Sequence, residues 1–398
     1  MRRNVHVLGS GMVSSLGVGT QCNWEKIVSG QSGIRPIERF NVENLAVNFA
    51  ACVDTWKVDS CAERILKMAL VATGEAIEQS GLTRKQCEKA KLFMAIPLPE
   101  FCWSDLISNS SSVGARNYGT QFISGISNAV AEEIGTSSIP YTLSTACASS
   151  ATAIVVAVGM LRRGEIETAI VLGSDSSIFE ESIVRFNLLN ALSTKNDSYQ
   201  SACSPFSLNR DGFVLGEGAA ALVLQSEDRV DKTRSIAMIT GVGEATDDFH
   251  RTRSHPSGDT IVESISKAIA DAGLEPGMID HVNAHGTSTP ENDKMEALGI
   301  SRVLGPHAAE VTVTSNKSAI GHTLTAAAIL EVAFALETFR SGVLPPTLNY
   351  DSPDLTLGLN VVGKTALAGT PKHILKNSFG FGGQNVSLVL SRGNHDAF

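Results

Sequence analysis

The sequence has no CxxC pair and no CxxxH spacing, and its seven cysteines are scattered at Cys22, Cys52, Cys61, Cys87, Cys102, Cys147 and Cys203 of 398 residues. That pattern excludes a zinc site and a disulfide scaffold, so no metal is expected. Basic residues are in deficit, with 32 lysines and arginines against 41 acidic residues and a formal charge of −9, so nucleic acid is not the main partner. No uninterrupted apolar run approaches the ~18–20 residues of a membrane span. The start, Met1-Arg2-Arg3 running into Val5-His6-Val7-Leu8-Gly9, lacks a signal-peptide core. The expectation is a cytoplasmic protein with no membrane span. Gly9-x-Gly11 has no third glycine, so no dinucleotide loop is read there. What remains is 43% hydrophobic, 18% charged and rich in glycine, the composition of a well-packed α/β protein.

The chain repeats itself faintly. Phe213 to Gln225 and Phe379 to Ser391 align without a gap, matching Phe213, Gly216 and Leu222-Val223-Leu224 to Phe379, Gly382 and Leu388-Val389-Leu390. Ala76 to Leu82 and Ala268 to Leu274 share Ala-Ile-x-x-x-Gly-Leu, each glycine placed where a helix ends. A strand and Gly-rich turn open each half, at 5–11 and 236–243, and a strand feeds a small-residue helix at 141–159 and 311–336. Four such pairs in one order predict two similar halves, 1–234 and 235–398, with buried and mostly parallel sheets.

Three segments carry chemistry. Thr145-Ala146-Cys147-Ala148-Ser149 ends a β-prone run before an almost uniformly apolar helix that should be buried on all sides. A helix N-terminus there would favour a thiolate, lowering the cysteine pKa by roughly one unit. His285 leaves a strand in Asn283-Ala284-His285-Gly286-Thr287-Ser288-Thr289-Pro290, and Lys317 and His322 lie five apart in Lys317-Ser318-Ala319-Ile320-Gly321-His322. Both histidines fall at C-terminal ends of strands, where α/β sites gather.

These segments, together with Gly9–Gly17, Gly30–Ile34, Ala191–Thr194, Pro205-Phe206, Arg210–Gly218 and Asn377-Ser378-Phe379-Gly380-Phe381-Gly382-Gly383, closely resemble the β-ketoacyl-acyl carrier protein synthases of the thiolase fold, over nearly the whole chain. The resemblance implies two similar halves forming a five-layered α/β/α/β/α sandwich. It implies Cys147 as the nucleophile that takes an acyl chain, with Cys147 and Phe381 N–H groups as oxyanion hole. His285 and His322 would polarise a malonyl thioester for decarboxylation, Lys317 and Glu331 would hold the second histidine, and Asp293 would be structural. Thr287 and Thr289 would bind pantetheine amides; Phe379 and Phe381 would gate the pocket.

No second catalytic cysteine follows Cys203 and no asparagine replaces His322, which favours decarboxylative elongation over a thiolase or a starter enzyme. A silent chain-length partner subunit is the alternative. The implied partner is an acyl carrier protein bringing acyl and malonyl thioesters on 4′-phosphopantetheine, with no permanently bound cofactor. The implied assembly is a homodimer or a heterodimer with a related synthase. Arg64 and Lys67 on a helix, or Arg162 and Arg163 at a helix end, are candidate docking residues. The sequence departs from relatives at Ala95–Trp103, in a short stretch reaching Gly135, and at Gln384, which leaves the acyl length and the fatty-acid or polyketide branch open.

Overall fold

In each half one strand, placed at the junction between halves, pairs with the last strand of its own sheet. The computed structural model describes residues 3–58, 60–97 and 123–393. The first sheet contains β1 (Val5–Ser14), β2 (Lys91–Ala95), β3 (Tyr141–Leu143), β4 (Thr168–Asp175) and β5 (Gly218–Ser226), ordered β3-β2-β4-β5-β1. The second contains β6 (Ala237–Thr246), β7 (His281–Asn283), β8 (Thr312–Thr314), β9 (His373–Phe379) and β10 (Gln384–Arg392), ordered β8-β7-β9-β10-β6, the same permutation. The sheets join where Val5, His6 and Val7 pair antiparallel with Ile239, Met238 and Ala237. Equivalent strands meeting antiparallel is what a two-fold relation between halves requires.

The sheets are mixed, not mostly parallel as the sequence suggested. β2 runs parallel to β3 and β4, and β7 to β8 and β9, but β4–β5, β5–β1, β9–β10 and β10–β6 are antiparallel. Connection length gives one reason. Only Gly380–Gly383 separate β9 from β10, and so short a link closes a hairpin, whereas a parallel crossover needs roughly a dozen residues.

Side chains alternate between two cores along each strand. On the outer face of the first sheet, Leu92, Met94, Ile170 and Leu172 pack with Met68, Ala69, Ala72 and Ala76 of α1 (Cys61–Ser80) and with Ile126 and Val130 of α2 (Ile123–Ile134). The inner-face residues Phe93, Ala95, Ala169 and Val171 join a central core built on α3 (Ser149–Arg163). Val282, Val313 and Leu375 face α4 (Asp259–Ala272) and α5 (Pro290–Leu304) on the far side. The second central helix, α6 (Ala327–Ser341), lies in the same core as α3. The result is five layers: helices, sheet, paired central helices, sheet, helices.

Residues 146–163 are apolar enough over eighteen residues to pass for a membrane span, but about half of that window is buried inside the protein. The helix is not enclosed on all sides as expected: Thr152, Val155, Val156, Gly159 and Met160 stay partly exposed. The Ala95–Trp103 departure falls largely outside the described residues.

Close strand–helix approach repeats in both halves and depends on glycine. A Cβ on Gly9 would lie 2.2 Å from the Ala76 carbonyl oxygen, and one on Gly241 would lie 2.1 Å from that of Ala268. The helices carrying those alanines both end on a left-handed glycine, Gly81 and Gly273. Gly241→Ala is expected to destabilise the protein by about 1–3 kcal/mol through overpacking against backbone. Urea denaturation checks this; an unchanged midpoint would mean that α4 can retreat freely.

Candidate functional site

Cys147 stands in a tight turn between β3 and α3. Ala146 takes φ 50°, the left-handed region that L-residues avoid at a cost of roughly 1–2 kcal/mol. The turn is held by Thr145 N donating to Ser149 Oγ at 2.8 Å and by Ser149 Oγ donating to the Ala146 carbonyl at 2.6 Å. A bulky residue at Gly380 would press on it, since a Cβ there would lie 3.1 Å from the Thr145 carbonyl and 3.2 Å from Ala148 N. Glycine therefore lets the β9–β10 turn approach the cysteine. The backbone N–H groups of Phe381 and of Cys147 itself both reach the thiol.

The thiolate expectation does not hold in the unliganded site. Burial pushes the Cys147 thiol up to about 11, outweighing the two N–H groups and the positive charge of Lys317. A buried Asp175, itself pushed up to about 6 by burial, adds to the upward shift. Asp175 accepts from Thr325 N at 3.0 Å and Thr325 Oγ1 at 2.7 Å, tying the end of β4 to the turn before α6.

His285 follows β7, and His322 follows the helical turn Lys317–Ile320. The rings meet edge to face with centroids 5.3 Å apart, and Phe213 and Phe379 pack on them. Leu324 N donates to His322 Nδ1 at 3.2 Å, so in the neutral ring the proton sits on Nε2, which is left as a donor. Burial, reinforced by nearby lysine charge, holds both imidazoles well below the ordinary histidine range. They are neutral at pH 7.

Lys317 and Glu331 are an ion pair buried to within 1% of complete. They hold the first histidine, not the second: Lys317 Nζ donates to the His285 carbonyl at 2.7 Å and lies 3.3 Å from His285 Nδ1. The lysine begins its helical turn immediately below the β7 loop, which sets this reach. Sequence reasoning missed two partners. Lys376, fully buried in β9, places Nζ 2.8 Å from the second Glu331 oxygen. Glu296 accepts from His285 N at 2.8 Å, Gly286 N at 2.7 Å and Asn377 Nδ2 at 3.1 Å, fixing the loop that carries His285. A lysine inside His373-Ile374-Leu375-Lys376-Asn377 and an acid one turn after Asp293 were the available signals.

A cleft open to solvent brings together Cys147, His285, His322, Thr287, Thr289, Phe379 and Phe381. Thr289 Oγ1 caps α5 by accepting from Asn292 N at 3.2 Å and lies 2.9 Å from Thr287 Oγ1. Asp293 is buried and accepts from Phe206 N at 2.8 Å and Ser288 N at 3.2 Å.

The proposed docking residues fare differently. Arg64 is buried, donating to the Val58 carbonyl and to Ser176 Oγ, so it offers no surface charge. Arg162 is held between Asp271 at 2.7 Å and the Thr240 carbonyl at 2.8 Å. Arg163 is exposed and paired with Glu165. Lys67 is exposed, with Nζ 5.8 Å from the Trp56 ring. None of the four lines the cleft.

Comparison with known proteins agrees with this architecture. Residues 2–229 match the Beta-ketoacyl synthase, N-terminal domain, and residues 236–351 match the Beta-ketoacyl synthase, C-terminal domain. The chain is 33% identical over 415 residues to 3-oxoacyl-(acyl-carrier-protein) synthase 2 of Coxiella burnetii, covering 98% of this chain and 99% of the relative. A solved type II polyketide synthase acyl-carrier protein in complex with its ketosynthase bound to the hexaketide superposes with TM-score 0.91 at 28% identity, covering 98% and 100%. The ishigamide ketosynthase/chain length factor superposes with TM-score 0.87 at 28% identity, also covering 98% and 100%.

A thiol raised to about 11 predicts a distinct pH response. Iodoacetamide alkylation of Cys147, followed by peptide mass spectrometry, should climb about tenfold per pH unit from pH 7 to 9 as the thiolate fraction grows. A plateau below pH 8 would show a preformed thiolate.

Proposed function

Because the chain belongs to the β-ketoacyl synthase family, we propose that it elongates an acyl chain by two carbons through decarboxylative Claisen condensation with a malonyl thioester on an acyl carrier protein. The observation that carries this reading is the meeting, in one cleft, of a cysteine reached by two backbone N–H groups and a pair of neutral imidazoles 5.3 Å apart.

In the first half-reaction the Cys147 sulfur attacks the acyl thioester carbon. Its proton leaves as the carrier thiol departs, and an acyl-cysteine forms. The developing oxyanion is stabilised by the Cys147 and Phe381 N–H groups, whose approach Gly380 permits. A thiol that is neutral at rest keeps the site from holding an unpaired buried anion between turnovers.

In the second half-reaction the malonyl carboxylate leaves as CO₂ and its bonding pair becomes an enolate. His322 Nε2–H and the His285 ring suit the thioester oxygen on which that charge develops. Neutral donors favour the enolate without gripping the ground-state carboxylate as an imidazolium would. The enolate carbon attacks the acyl-cysteine, the sulfur leaves as a thiolate and takes a proton from solvent, and a β-ketoacyl thioester is released. Thr287 is the better-placed hydroxyl for a pantetheine amide, because the Thr289 hydroxyl caps α5. Phe379 and Phe381 act as the gate beside the acyl group.

The pantetheine comes from the carrier protein, so no cofactor is resident. The functional unit is a homodimer: among the described residues β3 is a sheet edge with Ile139 and Tyr141 exposed, and α3, packed on β3, leaves Val155, Val156 and Met160 partly uncovered.

Intact-protein mass spectrometry with carrier thioesters of graded acyl length, followed by malonyl carrier, tests the assignment. Acylation at Cys147 and release of a product two carbons longer are expected; no acylation with any carrier would overturn it in favour of a silent partner. Cys147→Ala should abolish condensation in a folded protein, while Cys147→Gln should still release CO₂ from the malonyl thioester. His322→Ala should lower decarboxylation by about 10²–10³ and acyl transfer to Cys147 much less. The reverse order of loss would exchange the roles.

A further inference from the structure

Asp247 and residues 250–254, part of the loop between β6 and α4, line the cleft. This loop is tied to the turn that bears Phe381. Asp247 N donates to the Gly383 carbonyl at 2.8 Å, and Gly382 N donates to the Arg251 carbonyl at 2.8 Å. A Cβ on Gly383 would lie only 1.8 Å from the Asp247 carbonyl oxygen.

The loop's own polar groups are largely spent on holding its shape. The Asp247 carboxylate accepts from Phe249 N at 3.0 Å, His255 N at 2.8 Å and Thr260 Oγ1 at 3.0 Å. His250 Nδ1 accepts from Thr252 N at 3.1 Å, and the His255 ring lies edge-on to Phe249 with centroids 5.0 Å apart. Arg251 and Arg253 are the exception. Both are exposed and both line the cleft, and among the described residues neither guanidinium has an ion-pair or hydrogen-bond partner. The acids lining the same cleft are Asp247, whose carboxylate is taken up within the loop, and Glu291 in the first turn of α5; Asp248 adjoins them in the chain, and none of the three is paired with either arginine.

Two unpaired guanidiniums at the rim of a catalytic cleft, in a chain of charge −9, call for an anionic ligand. A guanidinium fork matches phosphate oxygens and stays charged at any working pH. The substrate that would thread this cleft has its thioester at Cys147 and its amides along Thr287. Its outer end is a phosphodiester. The arginines are among the residues that line the cleft, which favours the arm over the folded surface of the carrier as the source of the anion.

We infer that Arg251 and Arg253 form the binding site for the phosphodiester of the carrier's phosphopantetheine arm. This rests on the condensing-enzyme reading above and supplies an anchor that Arg64, Arg162 and Arg163 do not.

The test offers one acyl group on pantetheine, on 4′-phosphopantetheine and on the carrier, and measures kcat/KM for acylation of Cys147. The wild-type enzyme should prefer the phosphorylated over the unphosphorylated small thioester by about tenfold or more, less so at high salt. The R251Q/R253Q double variant should bring that ratio near one, and R251E/R253E should take it below one. A ratio unchanged in both variants overturns the assignment. So does a wild-type ratio of one with only carrier-borne transfer lost in the variants, which would place the arginines against the carrier's acidic surface. Calorimetric binding of free 4′-phosphopantetheine against pantetheine reads the phosphate without the chemistry. If the phosphate is bound through the arginines but no thioester acylates Cys147, the condensing reading fails and the phosphate site stands.

Discussion

The carboxylate of Glu331 is the point on which the site depends. It is buried on the central helix α6, and a charge so placed costs several kcal/mol unless it is well paired. Its two partners come from different elements, Lys317 from the helical turn after β8 and Lys376 from β9. α6 therefore cannot slide against either without uncovering a charge. Lys317 then spends its remaining donors on His285, so the ion pair sets the position of an imidazole. Two lysines around one acid also leave positive charge beside both histidines, which works with burial to keep them neutral. The site's electrostatics are thus a property of helix and strand packing, and little reorganisation is left to accompany the reaction.

Much of the architecture was legible because the repeat was written in small residues. Gly9 and Gly241 mark the same close approach to the outer helices, and Gly81 and Gly273 end those helices alike. The ungapped match of Phe213–Gln225 to Phe379–Ser391 puts Gly218 opposite Gln384 and Ser226 opposite Arg392, the ends of β5 and β10. Strand direction was not legible. A strand buried on both faces reads as the same apolar run whether its neighbour is parallel or antiparallel, and β4 and β5 are such strands.

At the site, residues in distinctive strings were found, and residues that act through burial were not. Cys147, His285 and His322 stand in unusual contexts, and one cleft gathers them. Glu296 and Lys376 lie in ordinary helix and strand positions, and only the fold turns them inward. The same blindness explains Arg64: its spacing with Lys67 suggested one exposed face, but α1 rotates it beneath Val58 and Ser176. The Cys147 thiol departs from the sequence expectation because a helix end is visible in a sequence and the surrounding low dielectric is not.

The duplicated frame has one further consequence. The turn before α3 carries Cys147, the turn before α6 carries His322, and Ser150 Oγ accepts from Ile329 N at 3.2 Å where the two helices begin. The same corner of the repeat thus presents a cysteine in one half and a histidine in the other, and one cleft gathers both. Neither half holds the whole cleft: Cys147 and Phe213 come from the first, and His285, His322 and Phe379 from the second. The cleft lies at the seam between the two halves, so a change in how the halves pack would alter it as directly as a change in its lining.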